Sequence, residues 1–283
     1  MNDLLHFTFF RNALFISIML SLLYSTLSFF VVLRNMTFLG AGIAHAAFGG
    51  VAIGIVLGLP PVYTALVFCV ATALIIGRLA QKRVLSYDMG IGIFFAFSMA
   101  LGAFLIFVKK AYTFDLSGYL FGNILAVKGE DLIVTAVMLV LCAGFIGLFL
   151  HRLLFMAFDE TNAALSGVPV GVLNGLLMFF LAAVIVLSIK IVGIVLVSAL
   201  IVLPASFGRL WSHDFRRVLA AGLVYTLCVM VGGLFLSYVI NTPSGATIVI
   251  LGTIVYFAGM GLRAGVGKGA RSQAAGATRF NDI

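Results

Sequence analysis

Apolar runs of about twenty residues, separated by short polar breaks, fill most of this chain. A helix needs about 20 mainly apolar residues to cross a bilayer, because each residue advances about 1.5 Å across a hydrocarbon core of about 30 Å. Breaks at charges, prolines and glycine clusters give about nine such runs. They cover residues 12–33, 38–58, 62–81, 88–108, 131–150, 169–189, 191–208, 218–240 and 245–262. The pattern predicts an all-α polytopic bundle of about 8–9 spans.

Composition supports the same class. The chain is 63% hydrophobic and 9% charged, whereas a soluble domain is about half apolar and about a quarter charged. Its net charge of +8 does not indicate nucleic acid, because the basic residues punctuate apolar runs instead of clustering on one soluble face. The three cysteines lie inside apolar runs without a paired spacing, so neither a disulfide framework nor a thiolate metal site is expected.

Orientation follows from the distribution of lysine and arginine, which are retained on the cytoplasmic side. With the N-terminus outside, about twelve fall inside and five outside. The first run has no basic region or cleavage site of a signal peptide before it, so we expect a retained span. One transmembrane domain is predicted over residues 1–263, followed by a polar, basic cytoplasmic tail over residues 264–283. The external connection contains YLFGNILAV, which is too short to cross and predicts a re-entrant or interfacial helix.

The cytoplasmic connection around residues 157–168 has the signals of a short helix. Asp159 is placed to cap its N-terminus, and Glu160 lies in the first turn, where a negative charge suits the helix dipole. Gly167, followed by Pro169, is placed to end it.

The second run contains two patterns. Ala46, Gly50, Gly54 and Gly58 recur every fourth residue and predict a ridge along which another helix packs closely. On the neighbouring face lies His45, the one histidine within a run. An ionisable group at membrane depth is a functional candidate, but a neutral histidine bonded to a backbone carbonyl explains the residue equally well. Imidazole suits zinc and other late first-row metals, yet one ligand makes no site.

The seventh run carries Pro204 in its interior. Proline cannot donate to the carbonyl of Leu200, so a kink and a freed acceptor are expected there. Ser198 and Ser206 are near enough to satisfy freed carbonyls. Such a kink serves either the architecture alone or the substrate path.

The chain shows no catalytic machinery of its own. GVGKGARS near the C-terminus lacks the first glycine and the hydroxyl of a phosphate loop, and HExxH and GxSxG are absent. We therefore expect a transport subunit, not an enzyme, with any ATP hydrolysis carried out by a partner chain.

Seven blocks in order resemble the metal-importing ABC permeases, the ABC-3 family of zinc, manganese and iron uptake. The blocks are RNALF, LRNMTFLGAGIAHAAFGGVAIG, DMGIGIFFAFSMALG, GYLFGNILAVKGEDL, FDETNAALSGVPV, KIVGIVLVSALIVLPASFGRL and TPSGATIVILG. The resemblance implies a fold similar to the vitamin B12 and siderophore permeases, the type II importers. It also implies a permease homodimer in the inner (plasma) membrane, with ABC ATPase subunits below and an extracytoplasmic metal-binding protein above.

The resemblance assigns roles to individual residues. FDETNAALSGVPV matches the coupling helix that sits in a cleft of the ATPase, so the implied coupling residues are Asp159, Glu160, Ala164 and Gly167. In the second run the family pattern is similar to GDxxxHA. His45 matches as the metal ligand, but Ala41 stands where the family has aspartate.

The implied substrate path contains His45, Ala41, Ser198 and Pro204, and no cofactor is expected to be bound. The missing aspartate leaves open a changed metal preference, a metal complex as cargo, or a path without a fixed site. YLFGNILAVKGEDL looks closer to zinc-uptake members than to manganese-uptake ones, so zinc leads as the transported ion, with manganese and iron behind.

Two other functions stay open on the residues alone. A gradient-driven secondary transporter would show midplane charges or broken helices in repeated halves, and neither is evident. An intramembrane metalloenzyme would need several convergent ligands.

Overall fold

The computed structural model describes residues 7–109 and 122–278, with side chains described as far as residue 264. Within these ranges the secondary structure is helical, without a strand. The α-helices are α1 Thr8–Leu33, α2 Thr37–Leu57, α3 Pro61–Gln81, α4 Tyr87–Lys109, α5 Gly129–Phe158, α6 Glu160–Leu165, α7 Val170–Leu200, α8 Leu203–Trp211, α9 Phe215–Ile240 and α10 Ser244–Thr278. A 3-10 turn, Ile124–Ala126, precedes α5. The predicted all-α bundle is confirmed.

Eight helical stretches in the described part of the chain are long and apolar enough to cross a membrane. One of them, Val170–Trp211, contains 42 residues and covers both of the predicted runs 169–189 and 191–208. At about 1.5 Å per residue, a straight helix of that length would be about twice as long as the hydrocarbon core is thick. It is not straight, because Gly193 has φ 76° and ψ 165°, outside the helical region.

The chain reverses direction at Gly193. Close to this glycine, Lys190 forms an ion pair with Asp131 in the first turn of α5, with 2.7 Å between Nζ and Oδ1. The first turn of α7 lies elsewhere, since the side chain of Gln81 at the end of α3 donates to the carbonyl of Val170 over 3.4 Å.

The far end of the stretch returns to that same side. Ile201 packs against Gly40 near the start of α2. Helices α2 and α3 pack antiparallel, with Gly54 beside Thr64 and Gly50 beside Ala65, so the start of α2 lies beside the end of α3. The stretch Val170–Trp211 therefore crosses twice, which agrees with the two runs that the sequence predicts for it.

The described helix ends fall on two faces. Phe10 near the start of α1 contacts Phe235 near the end of α9, with ring centroids 5.0 Å apart, while Arg263 in α10 reaches the carbonyl of Arg209 at the end of α8. The face with more basic residues carries Arg34, Arg78, Lys82, Arg83, Arg152, Arg209, Arg216, Arg217 and Arg263, whereas Arg11, Lys109, Lys128 and Lys190 lie toward the other. We call the first the cytoplasmic face and the second the external face.

Burial divides the bundle into a centre and a periphery. Helices α1, α2 and the α7–α8 stretch are mostly buried, whereas only a minor part of α4, α5 and the first part of α10 is buried. The exposed helices carry large apolar side chains such as Phe104, Val140 and Ile254. Such surfaces suit lipid or another apolar subunit.

The glycine ridge of α2 packs as predicted along part of its length. A Cβ on Gly50 would lie 2.6 Å from the Cα of Ala65 in α3, and one on Gly54 would meet Thr64. The assignment of Gly58 to this ridge is wrong. Gly58 has φ 69° and caps the helix, and a Cβ added there would have no neighbour within 4 Å, so its role is to end α2.

The proline of the seventh run breaks the helix instead of bending it. Helix α7 ends at Leu200 and α8 begins at Leu203, which puts Pro204 in a first turn, where a missing N–H has no intrahelical partner to lose. The break is bridged from α1: the Ser28 hydroxyl donates to the Val202 carbonyl over 3.5 Å and accepts from the Ala205 N–H over 3.1 Å.

Two predictions concern the ends of the described ranges. Residues 119–121 of YLFGNILAV lie outside the described residues, and the remainder forms the 3-10 turn with Ile124 buried. At the C-terminus, α10 continues helically through the predicted boundary at 263 to Thr278.

Candidate functional site

The short cytoplasmic helix α6 is closed at both ends by the residues that the sequence indicates. The Asp159 carboxylate accepts from the Asn162 backbone N–H over 2.9 Å, and this hydrogen bond lowers the pKa of Asp159. Gly167 has φ 81°, and the Val168 N–H donates to the Ala163 carbonyl over 3.0 Å. This is the left-handed glycine ending of a helix. The predicted helix around residues 157–168 is confirmed, with Glu160–Leu165 as its helical part.

Helix α6 presents nearly all of its surface to solvent. Ala163 is its one buried residue, and Ala164 is exposed. Next to these, the large apolar side chains of Leu165 and Phe158 are 80% and 72% exposed. Exposed apolar groups at a polar face mark interaction surfaces, so α6 and its flanks have the properties of a docking element.

A guanidinium connects α6 to the rest of the bundle. Arg34 lies in the three-residue connection between α1 and α2, and its side chain is 4% exposed. One guanidinium nitrogen lies 3.0 Å from a carboxylate oxygen of Glu160 in α6, and another donates to the side-chain oxygen of Asn174 in α7. Asn174 is itself buried, so two polar groups satisfy a charge that is almost withdrawn from water.

Two further helices join this network. The Tyr87 hydroxyl at the start of α4 donates to the same Asn174 oxygen over 3.3 Å, and the Tyr87 ring lies 6.0 Å from the guanidinium carbon of Arg34. The Gln81 amide at the end of α3 donates to Glu160 over 3.5 Å. We define the five residues Arg34, Gln81, Tyr87, Glu160 and Asn174 as the cytoplasmic hub.

His45 lies in the middle of α2 and faces α4. Its Nδ1 is 2.8 Å from the carbonyl oxygen of Ala41, and its ring contacts Phe95 edge-on, with centroids 5.0 Å apart. The residue is only partly buried. This geometry is compatible with both interpretations of the histidine. Nδ1 makes the backbone hydrogen bond that is expected of a structural histidine. The same bond fixes the orientation of the ring and leaves Nε2 as the nitrogen that a metal ligand would use.

The surface where α2 meets α4 is tightly packed around this histidine. A Cβ on Gly49 would lie 2.8 Å from the carbonyl oxygen of Ser98, and one on Gly42 would meet Ile91. The Ser98 hydroxyl is buried and has no hydrogen-bond partner among the described residues. This second glycine face was not predicted from the sequence, because Gly42 and Gly49 are seven residues apart and do not follow the four-residue spacing.

The other predicted path residues do not gather around His45. The Ser198 hydroxyl donates to the Ile194 carbonyl within α7 over 2.8 Å, and Pro204 packs against Gly222 of α9. In the described part of the chain no hydrogen bond or ring contact joins either residue to His45. Nor do the described residues contain a group of three or more His, Cys, Asp or Glu side chains that could hold a metal ion.

The cytoplasmic hub was not predicted from the sequence either. Arg34 follows an apolar run directly and is explained as an orientation signal, so its burial could not be expected. Asn174 was the available signal, because it is an uncharged polar residue inside an apolar run, where a buried amide needs partners.

Comparison with known proteins gives concordant relatives. The sequence matches the ABC 3 transport family over residues 6–263. It is 33% identical over 257 residues to the manganese transport system membrane protein MntC of Listeria monocytogenes, covering 91% of each chain. It is 31% identical over 259 residues to a probable metal transport system membrane protein of Thermotoga maritima, covering 90% of each.

Solved structures agree. PsaBC from Streptococcus pneumoniae, in complex with Fab, superposes with a TM-score of 0.78 at 33% identity, over 91% of this chain and 93% of that one. A putative metal-chelate type ABC transporter in an inward-facing conformation has the same fold, with a TM-score of 0.68 at 15% identity over 88% and 85% of the two chains.

These matches extend over nearly all of the bundle and include the described helices of both faces. The chain is a multi-pass protein of the plasma membrane and a transport subunit, not itself an enzyme. It belongs to the ABC 3 transport family and is the permease subunit of a metal-importing ABC transporter.

Proposed function

We propose that this permease moves a divalent first-row metal ion past His45, and that α6 receives the closing motion of a separate ATPase. The observation that carries the proposal is the construction of α6. It is capped at both ends, anchored by the single buried residue Ala163, and otherwise exposed at the cytoplasmic face. Such an element can enter a partner's cleft without unfolding, and its movement is a gating step of the hinge or shear type.

The four coupling residues have different tasks in this proposal. Asp159 and Gly167 fix the two ends of α6. Ala164, exposed and small, allows close approach of the partner. Glu160 turns its carboxylate toward the bundle, where it meets Arg34.

At the metal path, His45 offers one nitrogen and Ala41 offers no side-chain oxygen. A single imidazole binds weakly, which suits a permease, because an ion must leave each site as readily as it enters. A second copy of the chain would add a second His45 if the exposed side of α4 forms part of the enclosed path. Ser198 and Pro204 stay in the proposal as path residues of the α7–α8 stretch, apart from the His45 position.

For the identity of the metal, the relatives and the residues point in different directions. The Listeria relative is named for manganese, as is the import permease ScaB of Streptococcus gordonii, which is 32% identical over 250 residues. Manganese prefers carboxylate and carbonyl oxygens, whereas a lone imidazole suits zinc. We place manganese first because of the relatives. Zinc, which the sequence resemblance places first, is second, and iron is third.

The proposed assembly contains a permease homodimer, two ABC ATPase subunits and an extracytoplasmic metal-binding protein that docks on the external face. The ion is the substrate, and this chain is proposed to bind no cofactor.

Uptake by proteoliposomes that contain permease, ATPase and metal-binding protein tests the path. Mn²⁺, Zn²⁺ and Fe²⁺ are supplied separately. We expect ATP-dependent uptake of manganese, and we expect His45→Ala to lower it about tenfold, the scale of losing one metal-orienting contact. His151→Ala is the matched control, because His151 is an exposed histidine near the cytoplasmic end of α5. Equal uptake by both variants would return His45 to a structural role.

The same vesicles test the metal preference. Ala41→Asp restores the carboxylate of the family pattern one turn from His45, and we expect the ratio of manganese to zinc uptake to rise. Uptake driven by an ion gradient without ATP would instead support the secondary transporter.

A further inference from the structure

The ion pair between Arg34 and Glu160 connects α6 to the rest of the bundle. In the described part of the chain, α6 packs against α5 and more sparsely against α7. Its links to α2, α3 and α4 are polar and run through Glu160 to Arg34 and Gln81. The ion pair is therefore a direct polar connection from the proposed ATPase contact to the helices around His45.

The backbone on either side of Arg34 is rigid. The Arg34 N–H donates to the Phe30 carbonyl over 3.1 Å, and the Met36 N–H donates to the Val31 carbonyl over 2.9 Å. Asn35 between them has φ 54°, and Met36 is fully buried. Because backbone hydrogen bonds close this turn, a displacement that reaches the backbone of Arg34 is passed to the first turn of α2.

The guanidinium also joins groups that belong to separate helices. It contacts Glu160 of α6, Asn174 of α7 and the ring of Tyr87 at the start of α4. The planar guanidinium carries five N–H donors in a fixed fork, so its separate nitrogens can bond acceptors on different helices at once. With its side chain 4% exposed, Arg34 has little water to replace a lost partner, so a shift of Glu160 changes the balance among all these contacts.

We propose that Arg34 is the positioning residue that transmits movement of α6 to α2 and α4, and hence to the path at His45. The proposal rests on the coupling function proposed above for α6. It assigns to Arg34 no contact with the metal and none with the ATPase.

The test measures metal transported per ATP hydrolysed in the reconstituted importer, together with the ATPase rate and the recovery of assembled complex. We expect Arg34→Gln to lower transport per ATP about fivefold or more, the low end of measured coupling between sites, while the ATPase rate and assembly are retained. Arg34→Lys keeps the charge but replaces the planar fork with a compact ammonium on a shorter side chain, and we expect an intermediate ratio. A merely structural residue would lower transport and hydrolysis together.

Two further variants complete a double-mutant cycle between Arg34 and Glu160. Glu160→Ala should lower the ratio as Arg34→Gln does, and the double variant should be no worse than either single one, because both changes break one link. Glu160 is exposed, so its variant is available even if Arg34→Gln does not assemble. Lys190→Gln, which breaks the ion pair of the external face, is the matched control and should remain coupled.

The outcomes separate this inference from the function on which it rests. If Gly167→Trp uncouples the importer while Arg34→Gln and Glu160→Ala do not, the inference fails and the coupling role of α6 survives. If Gly167→Trp and Glu160→Arg also leave transport per ATP unchanged, the coupling role itself is wrong. Additive losses in the double variant would contradict a shared link between Arg34 and Glu160.

Discussion

The two faces of the bundle are tied together by different kinds of contact. At the external face, the Lys190–Asp131 pair has the shorter distance, 2.7 Å, but the Lys190 side chain is 59% exposed. At the cytoplasmic face, the Arg34–Glu160 pair is 3.0 Å long, and the Arg34 side chain is 4% exposed. The anions differ in the opposite sense, because the Glu160 side chain is 43% exposed and the Asp131 side chain is 14% exposed. The cation is therefore the buried member of the cytoplasmic pair and the exposed member of the external pair, so distance alone does not rank the two.

The two faces also differ in whether backbone packing or side-chain hydrogen bonds join their segments. At the external face, Gly122 and Gly193 bring two chain segments so close that a Cβ on Gly122 would collide with the backbone around Gly193. At the cytoplasmic face, the joints of the hub are side-chain hydrogen bonds from Arg34, Gln81 and Tyr87. Close backbone packing permits one arrangement, whereas side-chain bonds can exchange partners. The external contact is therefore suited to fix its two chain segments in one arrangement, whereas the cytoplasmic hub is suited to change its contacts.

The largest difference is expected when each ion pair is broken. Arg34→Met should lower the free energy of unfolding by about 3 kcal/mol, the upper end for a buried polar group that loses its donor, because Asn174 is buried and cannot turn to water, whereas Glu160 is partly exposed. Thermal unfolding of the purified permease in detergent measures it. Lys190→Met is the control and should cost under about 1 kcal/mol. Equal losses would remove the distinction between the two faces.

A substitution in the external backbone joint comes second. Gly193 has φ 76° and ψ 165°, a region reached almost only by glycine, so Gly193→Ala should cost about 2 kcal/mol of unfolding free energy. Gly144→Ala in α5 is the control, since an added Cβ there meets nothing within 4 Å. That change should be neutral or stabilising, because alanine favours a helix. If Gly193→Ala behaved like its control, the reversal at Gly193 would not depend on the backbone.

The third effect is confined to α6. Asp159→Ala removes the N-terminal cap and should lower the local stability of α6, whereas Asp159→Asn retains a cap. Hydrogen exchange of the α6 amides measures both. The pKa of Asp159 is lowered by the Asn162 N–H, so its stabilisation is present above the ordinary aspartate pKa and is lost as pH falls through the lowered one. Asp159→Asn should abolish this pH dependence of α6 stability. If the Asp159→Asn variant kept the full pH dependence, a different titratable group would be responsible for it.

The smallest effect is expected for the salt dependence of the external pair. Lys190→Gln should cost about 0.5 kcal/mol at low ionic strength and less as salt screens the exposed charges. Arg34→Gln should keep most of its effect in high salt, because its charge is withdrawn from water. Unfolding measured at two salt concentrations compares them, and an equally strong salt dependence would contradict the difference in burial.

The sequence predicted those parts of the fold that depend on local pattern. Apolar run lengths placed the crossings, including the two within Val170–Trp211, and Asp159 with Gly167 marked the ends of α6. Gly58 was wrongly assigned to the packing ridge, because a glycine that continues a four-residue spacing can equally well be the residue that ends the helix. The break before Pro204 was expected as a kink, since the bridging hydroxyl of Ser28 comes from a distant helix.

The site was less accessible to sequence reasoning. His45 was found because an ionisable residue in an apolar run is conspicuous, but its bond to Ala41 was one of two open alternatives. The cytoplasmic hub joins residues from positions 34 to 174, and such long-range contacts leave no periodic signal. Arg34 in particular has the same sequence context as any basic residue that ends a membrane span.

Chemical labelling of a cysteine at position 161 tests whether α6 lies at the cytoplasmic face and is bound there by the ATPase. Thr161→Cys, exposed on α6, is placed in a variant without Cys69, Cys142 and Cys228 and treated with a membrane-impermeant maleimide. We expect labelling only after the cells are opened, and blockage of that labelling by the bound ATPase. Labelling of intact cells from outside would contradict the orientation and the mechanism together.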